Sequence, residues 1–150
     1  MQITKRMIIK SGLALLTLAS LPRILMAAAW PQVAFGQSAA SEALTTLLGS
    51  DVTIPSDRID LKLPAIAENG AVVPVSINTT LEDVESISIV VKNNPRPMAA
   101  TFEIPPGTLP KITTRIKMGE TSDVMAVIKT GNGIYSVSGE VKVTIGGCGG

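Results

Sequence analysis

Val84-Glu85-Ser86-Ile87-Ser88-Ile89-Val90-Val91-Lys92 alternates along its whole length. Successive side chains of a strand point to opposite faces, so Ile87, Ile89 and Val91 share one face and Ser86, Ser88 and Val90 the other. The stretch reads as a β-strand, and Asn93-Asn94-Pro95-Arg96-Pro97 breaks it. The same period of two extends outward in both directions. Upstream, Ile59-Asp60-Leu61-Lys62-Leu63 alternates and stops at Pro64. Glu68-Asn69-Gly70 reads as a turn, with Asn-Gly supplying positive φ, and the pattern resumes from Val72 to Ile77. Downstream, Ala99 to Ile104 is closed by Pro105-Pro106-Gly107, and Lys111 to Met118 places Ile112, Thr114, Ile116 and Met118 on one side. Asp123 to Lys129 and Ile134 to Ile145 follow, joined by the hairpin turn Thr130-Gly131-Asn132-Gly133, with a break expected near Gly139. About seven strands at this spacing predict an all-β fold, a two-sheet antiparallel sandwich of immunoglobulin-like type over residues 58–145. The aliphatic content suffices for one core of roughly a hundred residues. With one cysteine in the chain there is no internal disulfide, so packing alone must hold the sandwich.

Upstream of the strands the period changes. Ser38 to Gly49 carries a helical stripe of Ala43, Leu44, Leu47 and Leu48, with Ser41 as the expected cap and Gly49 as the stop. Residues 37–57 are therefore read as a short N-terminal helix and a linker. Residues 1–36 read as a cleaved export signal. Thr4-Lys5-Arg6-Met7-Ile8-Ile9-Lys10 is basic, and the apolar run Gly12 to Ala19 is too short to span a bilayer. The pattern resembles the twin-arginine leader, with Lys5 in place of the first arginine and Ile8-Ile9 in place of Phe-Leu. Either the twin-arginine or the general secretory route fits. Small residues at −3 and −1 point to cleavage after Gly36, with Ala29 as the other candidate. No lipobox cysteine follows the leader, and Cys148 is third from the end, so lipid anchoring and prenylation are both excluded. The expected location is the periplasm, with no membrane attachment.

Composition removes several classes of function. There is no histidine, which excludes Ser-His-Asp and Cys-His nucleophile pairs. One cysteine without histidine cannot build a zinc site or a haem-attachment motif. Trp30, Phe35, Phe102 and Tyr135 are the only aromatic residues, too few for a base-stacking nucleic-acid surface. Once the leader with Lys5, Arg6, Lys10 and Arg23 is set aside, nine basic residues face twelve acidic ones, a net charge of −3. Nothing in that balance draws the chain to nucleic acid or anionic lipid. Glu82, Asp83 and Glu85 form a small acidic cluster without the spacing of a calcium loop, and a solvated turn is the simpler reading.

What remains is Gly146-Gly147-Cys148-Gly149-Gly150. Glycine lacks a Cβ and populates both halves of φ/ψ space, so these residues read as a flexible arm carrying a lone thiol. At full extension Cys148 stands roughly 10 Å beyond Ile145. A buried structural cysteine needs apolar neighbours, and this one has none in sequence. No cation lies close enough in sequence to lower its pKa, since Lys142 is six residues away. Activation must come from whatever the thiol is presented to.

Val141 to Gly150 resembles the ending of the SoxY family, the sulfur-compound carriers of bacterial thiosulfate oxidation. Ile66-Ala67-Glu68-Asn69-Gly70, Asn94-Pro95-Arg96-Pro97 with Ala100-Thr101-Phe102, and Thr114-Arg115-Ile116 are similar as well. Two positions depart from the pattern, Lys5 in the leader and Met98, and neither touches the thiol. The resemblance implies a non-catalytic carrier without a cofactor. Its Cys148 would hold thiosulfate-derived sulfur as an S-thiosulfonate or persulfide, with Gly146, Gly147, Gly149 and Gly150 as a swinging arm. It also implies a heterodimer with a SoxZ-like β-sandwich subunit. A haem-containing loading enzyme, a sulfur-oxidising dehydrogenase and a metal-dependent sulfate-releasing hydrolase would then act on the arm. Two other classes fit the same residues. One is a carrier using the terminal Gly-Gly as a thiocarboxylate, which needs an ATP-dependent adenylation that an exported protein does not meet. The other is a secreted structural sandwich whose cysteine makes an intermolecular disulfide.

Overall fold

The computed structural model describes residues 30–144. Helices α1 (Gln32–Gly36) and α2 (Ala40–Leu48) precede nine strands: β1 (Ile54–Pro55), β2 (Ile59–Lys62), β3 (Ile66–Ala67), β4 (Val73–Thr79), β5 (Val84–Val91), β6 (Met98–Glu103), β7 (Lys111–Ile116), β8 (Ser122–Thr130) and β9 (Gly133–Val143). They form two sheets. The larger has the order β1-β9-β8-β5-β6, with β3 also on β9, and the smaller has the order β2-β4-β7.

The seven longer strands pair antiparallel, as the alternation predicts. The two-residue strands β1 and β3 are additions that no periodicity could announce, and both pair parallel to β9. A wholly antiparallel seven-strand sandwich is thus corrected to nine strands with two parallel pairings. The shared edge explains them. An uncovered β9 would expose a row of backbone donors and acceptors, and β1 and β3 occupy that row near its two ends.

The core lies between the sheets. Val73, Val75 and Ile77 of β4 face Ile87, Ile89 and Val91 of β5 and Val124, Ala126 and Ile128 of β8, all essentially solvent-free. Strand β5 is buried on its second face too, because α2 packs Ala43 and Leu44 against Val90, Met98 and Val127. The helical stripe therefore docks as read, but its start differs. The N-cap is Ala39 with no side-chain bond, so Ser41 is an ordinary helical residue and does not cap. Gly49 ends the helix as expected, in the left-handed region at φ 86° with its N–H on the Thr45 carbonyl at 2.9 Å.

Helix α1 falls in a stretch read as leader. Ala34 is buried within it, and Phe35 packs on the second cluster. The rest of that stretch, residues 1–29, lies outside the described residues.

Two glycines have other reasons than those expected. Gly139 does not break β9, which runs unbroken to Val143. A Cβ there would meet Leu63 Cδ1 at 3.1 Å, so the missing side chain makes room for Leu63. Gly70 is not among the residues of positive φ, which are Gly49, Asp83, Gly107 and Gly133. A Cβ on Gly70 would stand 2.4 Å from the Met118 carbonyl oxygen and 3.0 Å from Val143 Cγ1. Close approach of backbone demands this glycine, and the turn is made instead by Asn69, whose Oδ1 accepts the Ala71 N–H at 2.9 Å.

Candidate functional site

The sheet registers sort the loops into two ends. At one end β9 finishes at Val143, beside β3, the β5–β6 loop and the β7–β8 loop. The other end carries the β4–β5, β6–β7 and β8–β9 connections. Cys148, Gly146, Gly147, Gly149 and Gly150 lie outside the described residues. Their site is approached through its root, the last residues of β9.

That root is held from both edges. On one side Lys142 and Thr144 donate their N–H groups to the carbonyls of Ala65 and Ala67, each at 3.1 Å. On the other side the Val143 N–H donates to Thr121 Oγ1 at 3.0 Å. Three successive donors are thus paired alternately to β3 and to the β7–β8 loop. Fraying of β9 from its end would leave each of these unmade.

The loops that supply those acceptors are tied to each other. Asn94 donates from Nδ2 to the Lys117 carbonyl at 2.8 Å and accepts from the Gly119 N–H at 3.0 Å. Asn93 donates from Nδ2 to the Thr121 carbonyl at 3.0 Å, and its N–H donates to Ser122 Oγ at 2.9 Å. Met118 N–H donates to the Gly70 carbonyl at 2.7 Å, at the contact that excludes a Cβ. One connected frame therefore runs from the β5–β6 loop through the β7–β8 loop to the segment carrying β3. Lys92 and Asp123 add an ion pair at 3.0 Å, roughly half exposed and worth little in water.

This frame gathers stretches that sequence reading singled out separately. Ile66 to Gly70 and Asn94 to Pro97 both belong to it, and Thr114-Arg115-Ile116 leads into it through Ile116, opposite Val73. The Asn-Asn-Pro-Arg-Pro loop, read as the break that ends the strand, is a structural brace. The carbonyls of Ala65 and Ala67 and the hydroxyl of Thr121 were missed. Backbone acceptors have no residue signature, and Thr121 is 22 residues from the group it holds. The acidic cluster is divided rather than assembled. Asp83 takes positive φ at the turn, its carbonyl accepting the Gly131 N–H at 3.2 Å, while Glu85 pairs with Lys129 at 3.0 Å.

Comparison with known proteins bears on what this frame belongs to. The model of the family described as sulfur oxidation protein SoxY matches residues 44–148. The chain belongs to the SoxY family. A solved structure of the sulfur carrier protein SoxY from Chlorobium limicola f thiosulfatophilum is 38% identical and superposes with a TM-score of 0.63. The likeness covers 69% of this chain and 94% of that one. An engineered protein at 18% identity covers 58% of this chain and 20% of its own, with a TM-score of 0.40, too loose a likeness to argue from. No curated protein matches. For a SoxY-family chain, a mainly β two-sheet body with a short N-terminal helix is thus the expected architecture. Among the described residues no helix is long and apolar enough to cross a membrane.

Proposed function

We propose that this chain is a periplasmic, non-catalytic carrier that holds thiosulfate-derived sulfur covalently on Cys148. The observation that supports this most is the clamped root, since a cargo-bearing segment is useful to several enzymes only if it leaves the body from a constant place. The family match, which runs to residue 148, supports the same reading. Loading joins Sγ to the outer sulfur of thiosulfate. One S–S bond forms, the thiol proton leaves, and two electrons pass to the haem-containing loading enzyme. The hydrolase then cleaves the S–SO3 bond with water, releasing sulfate and a proton and leaving a persulfide on Cys148. The dehydrogenase oxidises that remaining sulfur further. Gly146, Gly147, Gly149 and Gly150 act as the narrow stem that lets the thiol enter these active sites.

The body is read as immunoglobulin-like, with β2-β4-β7 facing β9-β8-β5-β6. Its outer faces are unequal. The helices cover the larger sheet, whereas Asp60, Lys62, Pro74, Asn78, Lys111, Thr113 and Arg115 on the smaller sheet are left exposed. That face, with the edge of β7, is where a SoxZ-like sandwich subunit would bind. Packing of Ala34 and Phe35 favours leader cleavage after Ala29 over Gly36, because the later cut would strip α1 from its seat on the cluster.

Substitution of Cys148 tests the carrier reading. Cys148→Ser should abolish thiosulfate-dependent oxidation in the reconstituted system with no change in thermal midpoint. Retained oxidation would sink it. The disulfide alternative predicts instead that the variant loses only a covalent dimer.

A further inference from the structure

We propose that β7 is an open seat for a strand of a partner protein, one that alternates carboxylate and aliphatic side chains. The inference rests on the reading of this edge as a partner's seat and names the chemistry of what sits there. β7 is an end strand of the smaller sheet and pairs with β4 alone among the described strands. Its six residues keep unbroken register and include no proline. Lys111 N–H is taken up by the Leu109 carbonyl at 2.8 Å, so the open edge begins after it. Along the free side of such a strand alternate residues direct N–H and C=O outward, where a further strand satisfies them. The other end strands offer less. β1 has two residues and β2 four, while β6 has a register shift at Ile89-Val90 and packs Met98 against α2.

The two rows of side chains on β7 dictate what the added strand carries. Lys111, Thr113 and Arg115 form the exposed row. Among the described residues no carboxylate lies within 4 Å of Lys111 or Arg115. The one acid on this face, Asp60, is two strands away, 3.6 Å from Lys62, with Asn78 between it and Lys111. Lys62, Lys111 and Arg115 thus make a cationic face on a chain whose net charge without the leader is −3. Ile112 and Thr114 lie in the row that faces the core, yet both are only partly buried. A neighbouring strand sets its side chains about 5 Å from those opposite. Carboxylates on its outer row therefore meet Lys111 and Arg115, and aliphatic residues on its inner row cover Ile112 and Thr114. Cations on an edge also deter indiscriminate pairing, so neutral and basic strands are refused where an acidic one is admitted. Anionic lipid and nucleic acid offer negative charge without a ladder of backbone groups, and the net charge of the chain repels both.

The test uses two cyclised hairpin peptides, one whose edge strand alternates Glu with Val and one with Lys in place of Glu. Each is titrated against the mature protein at low and high salt, and amide hydrogen exchange locates the contact. The glutamate hairpin should bind, slow exchange on the free side of β7 and weaken as salt rises, whereas the lysine hairpin should not bind. Lys111→Glu and Arg115→Glu should each weaken the glutamate hairpin about tenfold at low salt and admit the lysine hairpin. Arg96→Glu, the same charge change on the exposed β5–β6 loop, should behave as wild type, and all three variants should keep its thermal midpoint. No binding, equal binding of both hairpins, protection away from β7 or an equal loss in Arg96→Glu overturns the seat. Binding to phosphatidylglycerol vesicles that Arg115→Glu abolishes also overturns it, by assigning the cations to lipid. The glutamate hairpin should further displace the SoxZ-like subunit from its complex with the chain. A hairpin that protects β7 while the subunit stays bound leaves the seat standing and overturns the placement of that subunit.

Discussion

The two ends of the sandwich are closed by different kinds of bond. At the arm end, side chains from one loop satisfy the backbone of another far away in sequence, as Asn94 does for Lys117 and Gly119 and Asn93 for Thr121. At the far end most ties sit within one turn. Thr130 Oγ1 accepts the Asn132 N–H, Thr79 Oγ1 accepts the Leu81 N–H, and Thr108 N–H returns to the Pro105 carbonyl. The longest-range tie among these loops is the Gly131 N–H on the Asp83 carbonyl at 3.2 Å, a backbone bond between the turns of the paired strands β5 and β8. Arg58 with the Thr79-Thr80 corner likewise joins adjacent strands. The far end also holds an open groove of about 560 Å³ lined by Leu81, Val84, Ile104 and the 105–110 loop. An end braced by side chains between loops of both sheets resists deformation as a unit, whereas an end closed mainly within single turns and between adjacent strands leaves the loops of the two sheets freer of each other. Strand β9 finishes at the braced end. For the carrier proposed above, the contrast supplies a constant point of departure, with tolerance elsewhere.

Substitutions at matched positions break or sharpen this contrast. The largest effect should come from Gly70→Ala at the arm end. Its new Cβ meets backbone at 2.4 Å, which cannot rotate away, so two loops must part. A loss of about 2 kcal/mol is expected, read as a fall of several degrees in thermal midpoint. An unchanged midpoint would mean that the frame yields freely. Asn94→Ala removes two bonds between loops and should cost about 1.5 kcal/mol, together with faster amide exchange at Gly119. If exchange speeds up only locally and sulfate release is untouched, bracing has no bearing on delivery.

At the far end Gly107→Ala should cost less, about 1 kcal/mol. The backbone is at φ 81°, but nothing lies within 4 Å of the new carbon. Chemical denaturation of the Gly70 and Gly107 variants side by side gives the ranking directly, and a reversed order would contradict it. The smallest effect belongs to Leu109→Ser. Its side chain is already in water, so stability and carrier activity should both match wild type within error.

The sequence was most legible where one face of a strand is buried. Ile87, Ile89 and Val91 announced β5 because alternation survives any change of partner. Strands β1 and β3 were invisible for the converse reason. Two residues have no period, and Ile54-Pro55 and Ile66-Ala67 become strands only because β9 has an edge to fill. The glycines misled in an instructive way. Gly139 and Gly70 were read as local backbone features, whereas each answers to a partner distant in sequence, Leu63 and Met118. Cys148 stood out by being the only thiol in a chain without histidine. Its support did not, because the carbonyls of Ala65 and Ala67 exist in every residue and only folding brings them to β9.

The central claim is that Cys148 carries the cargo. It is tested most directly by peptide mass mapping of the protein isolated from cells oxidising thiosulfate. The account predicts a thiosulfonate or persulfide adduct on the peptide containing Cys148, removed by thiol reductant and missing from cells grown without thiosulfate. Unmodified Cys148 in those cells, sulfur found on Gly150 instead, or Cys148 recovered only as a disulfide between two chains would contradict it.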